Sequence, residues 1–382
     1  MILGPLATAG WVYGQVQALR RWGYRRGWLA SERAAVPVIS VGNLVVGGTG
    51  KTPCVQRVCR LLQDMGARPA VLSRGYRGSS TAEAAVVGDG EGVLLGWQEA
   101  GDEPVLLARS LPGVPVVIGR DRRAAARKAV EAFGVDVLVL DDGFQHLRLR
   151  RDLDLVTVDA RNPFGNGACL PRGLLREWPR ALADADMVLL TRTRGLPPER
   201  VASLRGTIAR YCPGIRILST EHAPTGWVDL RTGEILPLEA VHGHKVLAFA
   251  GIGSPAAFFH DLKALGVRVV EGVPFPDHHP FTPEDRGKLV EWARLVHATA
   301  LVTTEKDAVR LGTDLPGDLR YLALRIELRV HEEEVLAEAL RRAAGLAPQG
   351  PPGHHGGAEE RDGVPGAGPA GVPAGSATRR SR

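Results

Sequence analysis

Val36-Pro-Val-Ile-Ser-Val-Gly-Asn-Leu-Val-Val-Gly-Gly-Thr-Gly-Lys-Thr52 is the stretch that decides the fold. A short β-branched run suited to a buried strand feeds a glycine-rich turn, and Gly50-Lys51-Thr52 opens a helical stretch. In such a loop, glycines let backbone N–H groups converge on phosphate oxygens at the positive end of a helix. The spacing assigns Val45, Val46, Gly47, Gly48, Thr49, Gly50, Lys51 and Thr52 to a nucleoside triphosphate. Lys51 would neutralise the β and γ oxygens, and the Thr52 hydroxyl would bind Mg²⁺. The pattern G-x-x-x-x-G-K-[ST] asks for glycine where this chain has Val45, so Gly47 and Gly48 must supply the freedom instead.

Working outward, Val135-Asp-Val-Leu-Val-Leu-Asp-Asp-Gly143 is an apolar strand that ends in two aspartates, as the second acidic element of P-loop proteins does. Adjacent residues on a strand face opposite ways. One of Asp141 and Asp142 is therefore expected to reach Mg²⁺ directly, the other to orient water or substrate. A guanine-nucleotide switch does not fit. Phe144 and Gln145 stand where the glycine of D-x-x-G belongs, and Thr304-Glu-Lys-Asp307 departs from N/T-K-x-D. Gln145 and His146 follow the aspartates and are expected to face the same site. Arg74 and Arg120 are candidates for substrate or nucleotide phosphate, because arginine forks suit phosphate oxygens, with surface ion pairs as the alternative.

From Val36 onward, β-branched runs alternate with amphipathic stretches, which predicts an α/β fold with a mostly parallel sheet. Strands are expected at 36–41, 70–73, 116–118, 135–140, 153–159 and 187–191, and helices at 52–65 and 122–133. Residues 227–238 read as two short strands about a Thr-Gly turn. That hairpin defines a linker at 225–240 between a P-loop domain at 34–224 and a smaller α/β domain at 241–345. Strands at 245–250, 300–303 and 321–326 build the smaller unit. The Gly/Pro/Ala-rich stretch 346–382 has almost no large apolar residues and is predicted to be disordered.

The bulk composition agrees. At 382 residues and 44% hydrophobic, the chain has material for more than one core. Four cysteines without C-x-x-C spacing imply neither a disulfide framework nor a zinc site, so a reducing cytoplasm is the natural setting. The net charge of +6 favours anionic partners without choosing among nucleotide, phospholipid and nucleic acid. The first 19 residues carry no charge, and Arg20, Arg21, Arg25 and Arg26 follow, interleaved with Trp22 and Tyr24. A secretory signal puts its basic residues first, so this is not one. Pro5, Gly10, Gly14, Gln15 and Gln17 dilute the run below what a bilayer span requires. A membrane-surface helix within 1–33 fits better, with a span or an ordinary packed helix as the other readings.

Further motifs continue in order along the chain. They are Leu72-Ser-Arg-Gly-Tyr76, Gly101-Asp-Glu-Pro104, Asp141-Asp-Gly-Phe-Gln-His146, Phe164-Gly-Asn-Gly167 and Leu170-Pro-Arg-Gly-Leu-Leu-Arg-Glu177. Ala250-Gly-Ile-Gly253, Phe275-Pro-Asp-His278 and Thr304-Glu-Lys-Asp-Ala308 complete the series. With the phosphate loop, this set resembles the tetraacyldisaccharide 4'-kinases, the lipid A 4'-kinases of Gram-negative bacteria, over roughly residues 5–345. The resemblance implies two α/β/α domains joined by a two-stranded linker, with the active site between them. It implies ATP- and Mg²⁺-dependent phosphorylation of the 4'-hydroxyl of an acylated glucosamine disaccharide 1-phosphate. The implied partners are that lipid and a membrane surface, with no nucleic acid and no obligate protein partner. The implied location is the cytoplasmic face of the inner membrane, reached through the N-terminal helix.

Read alone, Asp102 is a turn residue and His278 a surface histidine. By resemblance Asp102 is the catalytic base, His278 its partner, and Glu177 an acidic residue near the metal beside Thr52, Asp141 and Asp142. A base is chemically reasonable, because a sugar hydroxyl must lose its proton as transfer proceeds. Two alternatives stand beside this one. The first is another P-loop phosphotransferase or ligase acting on a soluble substrate. The second is a membrane-docked nucleotide sensor, which gives Asp102 no role.

Overall fold

The computed structural model describes residues 3–347, so the predicted disordered tail lies outside the described residues from position 348 on. Helix α1 (Leu3–Arg25) leads. Strand β1 (Val38–Asn43) then runs through the phosphate loop into α2 (Lys51–Asp64). There follow β2 (Pro69–Ser73), β3 (Ala85–Gly88), α3 (Trp97–Ala100), α4 (Asp102–Ser110), β4 (Val116–Ile118), α5 (Arg122–Phe133), β5 (Val137–Asp141) and β6 (Leu153–Asp159). Next come β7 (Met187–Thr191), α6 (Pro198–Tyr211), β8 (Arg216–Asp229) and β9 (Ile235–Leu236). The last stretch holds β10 (Lys245–Ala250), α7 (Pro255–Ala264), β11 (Arg268–Pro274), α8 (Pro283–Leu295), β12 (Ala300–Thr304), α9 (Glu305–Leu311), β13 (Arg320–Val330) and α10 (Glu333–Ala343).

The strands form one sheet in the order β11-β10-β12-β13-β8-β7-β6-β1-β5-β2-β4-β3, with β9 on β8. Pairing is parallel within β1–β7 and within β10–β13, apart from the antiparallel edge strand β3. Strand β1 is buried along its length and lies between β5 and β6, with Val41 opposite Asp141 and Asn43 opposite Thr157. Its loop therefore emerges at the carboxyl edge of the sheet, where ligands bind in open α/β folds.

The two halves meet along β8. Its first residues run parallel to β7, and Thr220–Asp229 run antiparallel to Leu322–Val330 of β13. This long ladder makes the sheet continuous from β7 to β12. The hairpin expected at 227–238 does form, with Trp227 opposite Leu236, as a side arm on the ladder. The first part of β8 escaped the sequence reading because Pro224 and Gly226 interrupt its pattern. The ladder accommodates them at a register shift, where Arg325 and Ile326 face Gly226 and Pro224.

Two further placements differ from the expected boundaries. Helix α10, assigned above to the smaller unit, buries Leu336 and Leu340 in the same core as Val55, Val58 and Leu62 of α2. Arg57 of α2 also pairs with Glu333. The glycines of α1 are a packing face rather than mere dilution. A Cβ at Gly10 would stand 2.7 Å from the Cys169 carbonyl oxygen, and one at Gly14 would stand 2.3 Å from Trp178 Nε1. The opposite face leaves Trp11, Val16, Leu19 and Trp22 exposed. Among the described residues no helix is long and apolar enough to cross a membrane.

Candidate active site

The phosphate loop is held from below by side chains that sequence reading passed over. Asn43 Nδ2 donates to the Val45 carbonyl at 2.7 Å and to Thr49 Oγ1 at 2.8 Å. Thr49 Oγ1 also meets Thr157 Oγ1 at 2.8 Å, and Thr191 Oγ1 donates to the Thr49 carbonyl at 2.8 Å. Gly50 precedes α2 with a φ of 84°, and a Cβ there would stand 2.9 Å from His222 Nε2, so glycine is required twice over. Gly47 adopts a φ of 112°, in keeping with its expected role as the flexible point. The Val45 side chain is buried with Leu44, Cys169 and Leu175, which leaves only its backbone to face a phosphate.

The acidic wall lies beside Lys51. Lys51 Nζ is 3.6 Å from Asp142 Oδ1, and Arg176 Nη1 donates to Asp142 Oδ2 at 2.6 Å. Burial raises the Asp142 carboxyl, but Lys51 and Arg176 outweigh it and hold the group below the ordinary range. Asp141 has weaker support, with Ser73 Oγ donating to Oδ2 at 2.9 Å. Burial, together with the charges of Glu103 and Asp142, pushes its carboxyl up to about 6.

Glu177 does not join this wall. Its Oε2 accepts from Arg21 Nε at 2.9 Å and Nη2 at 2.6 Å. Among the described residues no three His, Cys, Asp or Glu side chains are grouped to hold a metal, so the expected set of Thr52, Asp141, Asp142 and Glu177 is not assembled as a cage. A hard divalent cation nonetheless fits Asp141 and Asp142. The Oδ1 atoms of both are buried without a hydrogen-bond partner, and magnesium usually takes one or two carboxylates with substrate phosphates and water.

Asp102 opens α4 and is 5% exposed. His278 Nδ1 meets Asp102 Oδ2 at 2.8 Å, and Arg310 Nε lies 3.6 Å from the same oxygen. Burial raises the Asp102 carboxyl, but the His278 hydrogen bond and the charges of Lys306 and Arg310 hold it below the usual range. His278 adopts a φ of 64°, a left-handed backbone uncommon outside glycine. An ionised carboxylate is thus held by partners from the other half of the sheet.

A family model described as tetraacyldisaccharide-1-P 4'-kinase matches residues 2–344. The chain belongs to this family. A tetraacyldisaccharide 4'-kinase from Anaeromyxobacter sp. (strain K) is 47% identical over 90% of this chain and 92% of that protein. One from Geobacter metallireducens is 45% identical over 89% of this chain and 98% of that protein. The crystal structure of LpxK from Aquifex aeolicus in complex with ATP covers 90% of this chain and 99% of its own, at 32% identity and a TM-score of 0.75.

In this tetraacyldisaccharide-1-P 4'-kinase family member, the remaining expected residues divide. Gln145 stands at the loop, donating from Nε2 to the Asn43 carbonyl at 2.9 Å. His146 lies near Arg122, where burial and that arginine push its imidazole down to about 4. Arg74 and Arg120 are exposed and, among the described residues, make no hydrogen bond or ion pair, so nothing holds them as surface pairs. Arg120 lines a hollow of about 240 Å³ with Ser80, Thr81, Glu83 and Asp121. The supports that sequence reading missed are Asn43, Thr157, Arg176, Thr191 and Arg310. Lys306 Nζ lies 3.2 Å from His278 Nε2. Two of these had a visible signal, since Asn43 and Arg176 lie inside the quoted motifs.

Proposed function

We propose that this chain transfers the γ-phosphate of ATP to the 4'-hydroxyl of an acylated glucosamine disaccharide 1-phosphate, at the cytoplasmic face of the inner membrane. Family membership supports the reaction, and the ATP-bound relative supports the donor. The observation that carries the chemistry is the 2.8 Å contact between His278 and Asp102, which keeps a carboxylate ionised and oriented.

On this reading the backbone amides of the Gly47–Thr52 loop and Lys51 bind the β and γ phosphates. The sugar hydroxyl oxygen forms a bond to the γ phosphorus as the bond to the β–γ bridging oxygen breaks, and ADP leaves. The hydroxyl proton passes to Asp102. A low carboxylate pKa suits this order of events, because phosphoryl transfer is largely dissociative and the hydroxyl becomes acidic late. The base mainly orients the nucleophile until then. Magnesium, held by Asp141, Asp142 and the Thr52 hydroxyl, would neutralise charge on the phosphate oxygens when bound. The exposed apolar stripe of α1, with Arg25 and Arg26 exposed at its end, suits a lipid surface, where the substrate's acyl chains reside.

The direct test is transfer of labelled γ-phosphate from ATP to the purified disaccharide 1-phosphate. Asp102→Ala is expected to lower kcat by about 100- to 10,000-fold, the range of a lost general base. Full activity in that variant would defeat the assignment.

A further inference from the structure

Asp102, His278, Lys306 and Glu103 form a closed ring across the two halves of the sheet. His278 Nδ1 meets Asp102 Oδ2 at 2.8 Å. Lys306 Nζ lies 3.2 Å from His278 Nε2 and 3.1 Å from Glu103 Oε1. Glu103 follows Asp102 in the first turn of α4, which closes the ring. Both second-half members are mounted on one fixture. Asp307, fully buried, accepts from the Gly251 N–H at 3.0 Å, while the Gly251 carbonyl accepts from the His278 N–H at 3.0 Å. Thr304 caps α9 by accepting from the Asp307 N–H, and so fixes the turn that carries Lys306. The backbone positions that carry Lys306 and His278 are therefore fixed relative to one another.

An ammonium has three donors and no acceptor, and an imidazole nitrogen accepts only when it carries no proton. The contact at Nε2 is a hydrogen bond only if the ring proton resides on Nδ1. We propose that Lys306 is a positioning residue for the transfer, donating to His278 Nε2 and so fixing the Nδ1–H tautomer that is aimed at Asp102. The proposal rests on Asp102 being the base. Which ring nitrogen carries the proton is set by the bond the other one makes. Both named contacts to Asp102 fall on Oδ2, from His278 and Arg310, and no side chain among the described residues bonds Oδ1. Oδ1 is then the oxygen that receives the sugar proton. With the other tautomer, the Nδ1 lone pair would face the carboxylate and repel it.

The groups that face this ring are few. Arg310 stands on the Asp102 side, held by the Gly251 carbonyl and Asp307. Asp277 Oδ2, 3.8 Å from Nε2, competes by favouring a proton there, but its side chain is 49% exposed and Lys306 is closer. Removing Lys306 hands Nε2 to Asp277 and to water.

The test is nitrogen NMR of the full-length chain labelled at histidine, with the His278 signals assigned by their loss in His278→Asn. Wild type should show Nδ1 protonated near neutral pH, and Lys306→Met should move the proton to Nε2. In the same variant kcat should fall by about 100-fold, with KM for ATP changed by less than about threefold. Lys306→Arg, which keeps a donor, should restore the tautomer and most of kcat. An Nε2–H signal in wild type, or an Nδ1–H signal that persists in Lys306→Met, overturns the proposal. Full transfer by Asp102→Asn would instead overturn the base reading, leaving the spectrum to decide the tautomer by itself.

Discussion

Arg21 grips a single oxygen of Glu177 with two nitrogens, Nε at 2.9 Å and Nη2 at 2.6 Å from Oε2. The same guanidinium donates to the Phe144 carbonyl at 3.1 Å and to Asp184 at 3.0 Å, and it stacks over the Phe144 ring. Helix α1 is thereby bolted to the loop that follows Asp141 and Asp142. The carboxylate that resemblance places near the metal is engaged by the N-terminal helix, and its Oε1 has no partner.

This pair is buried, with side-chain exposures of 6% and 3%. Removing one partner strands a charge in a site where burial already raises the Glu177 carboxyl. Arg21→Met is expected to cost about 3–5 kcal/mol of stability, as breaking buried pairs does. Arg21→Met with Glu177→Gln should recover part of that loss, because no uncompensated charge remains. Urea unfolding of the single and double variants measures both terms. A single variant within about 1 kcal/mol of wild type, the size of an exposed pair, would show that the bolt carries no load.

The outer face of α1 supports a second expectation. Trp11, Val16, Leu19 and Trp22 border a shallow hollow of about 530 Å³ and are 38–64% exposed, while Gly10 and Gly14 seat the other face. Val16→Glu with Leu19→Glu should leave the fold intact, since neither side chain packs inward. The pair should abolish co-sedimentation with anionic vesicles and lower transfer to vesicle-borne lipid by about tenfold or more, because each charge must leave water on docking. Activity on detergent-dispersed lipid should stay close to wild type. Undiminished vesicle binding would remove α1 from the docking surface.

The parts legible in sequence were those with local signals. The phosphate loop, the aspartate-ended β5 and the α/β alternation are written in consecutive residues, and β6 and β7 fall where expected, at Leu153–Asp159 and Met187–Thr191. The β8–β13 ladder was not legible, because Pro224 and Gly226 mask a strand whose partner lies about a hundred positions away. Asp102 read as a turn because Gly101 precedes it. Gly101 has a φ of 89° and gives way directly to α4. The contacts of Arg21, Lys306 and Arg310 link distant segments, and no spacing rule connects position 306 with 278, or 21 with 177. Charged residues that are commonest on surfaces were here drawn inward by partners that only the fold supplies.

Two histidines give the enzyme a pH-dependent stability. Burial, aided by Arg192, pushes His222 down to about 4, and its Nε2 is sealed beside Gly50 without a partner. An unfolded chain titrates this group near the ordinary value of about 6.5. Between those limits the unfolded state binds more protons, so the contribution to stability rises with pH and is lost as pH falls through the window. His146 acts in the same direction, with an imidazole also near 4. Asp141, raised to about 6, acts in the opposite sense, since its folded carboxyl holds a proton that the unfolded one has released. The net curve therefore mixes signs, and the histidine term is isolated by comparing variants. His222→Gln keeps a polar side chain without the titration. Its stability relative to wild type should improve steadily as pH falls from about 6.5 to about 4, the window set by the two imidazole values. Chemical denaturation of both proteins across that range measures the difference. Parallel curves would mean that His222 protonates alike in the folded and unfolded chains, and the sealed nitrogen beside the phosphate loop would then have no thermodynamic consequence.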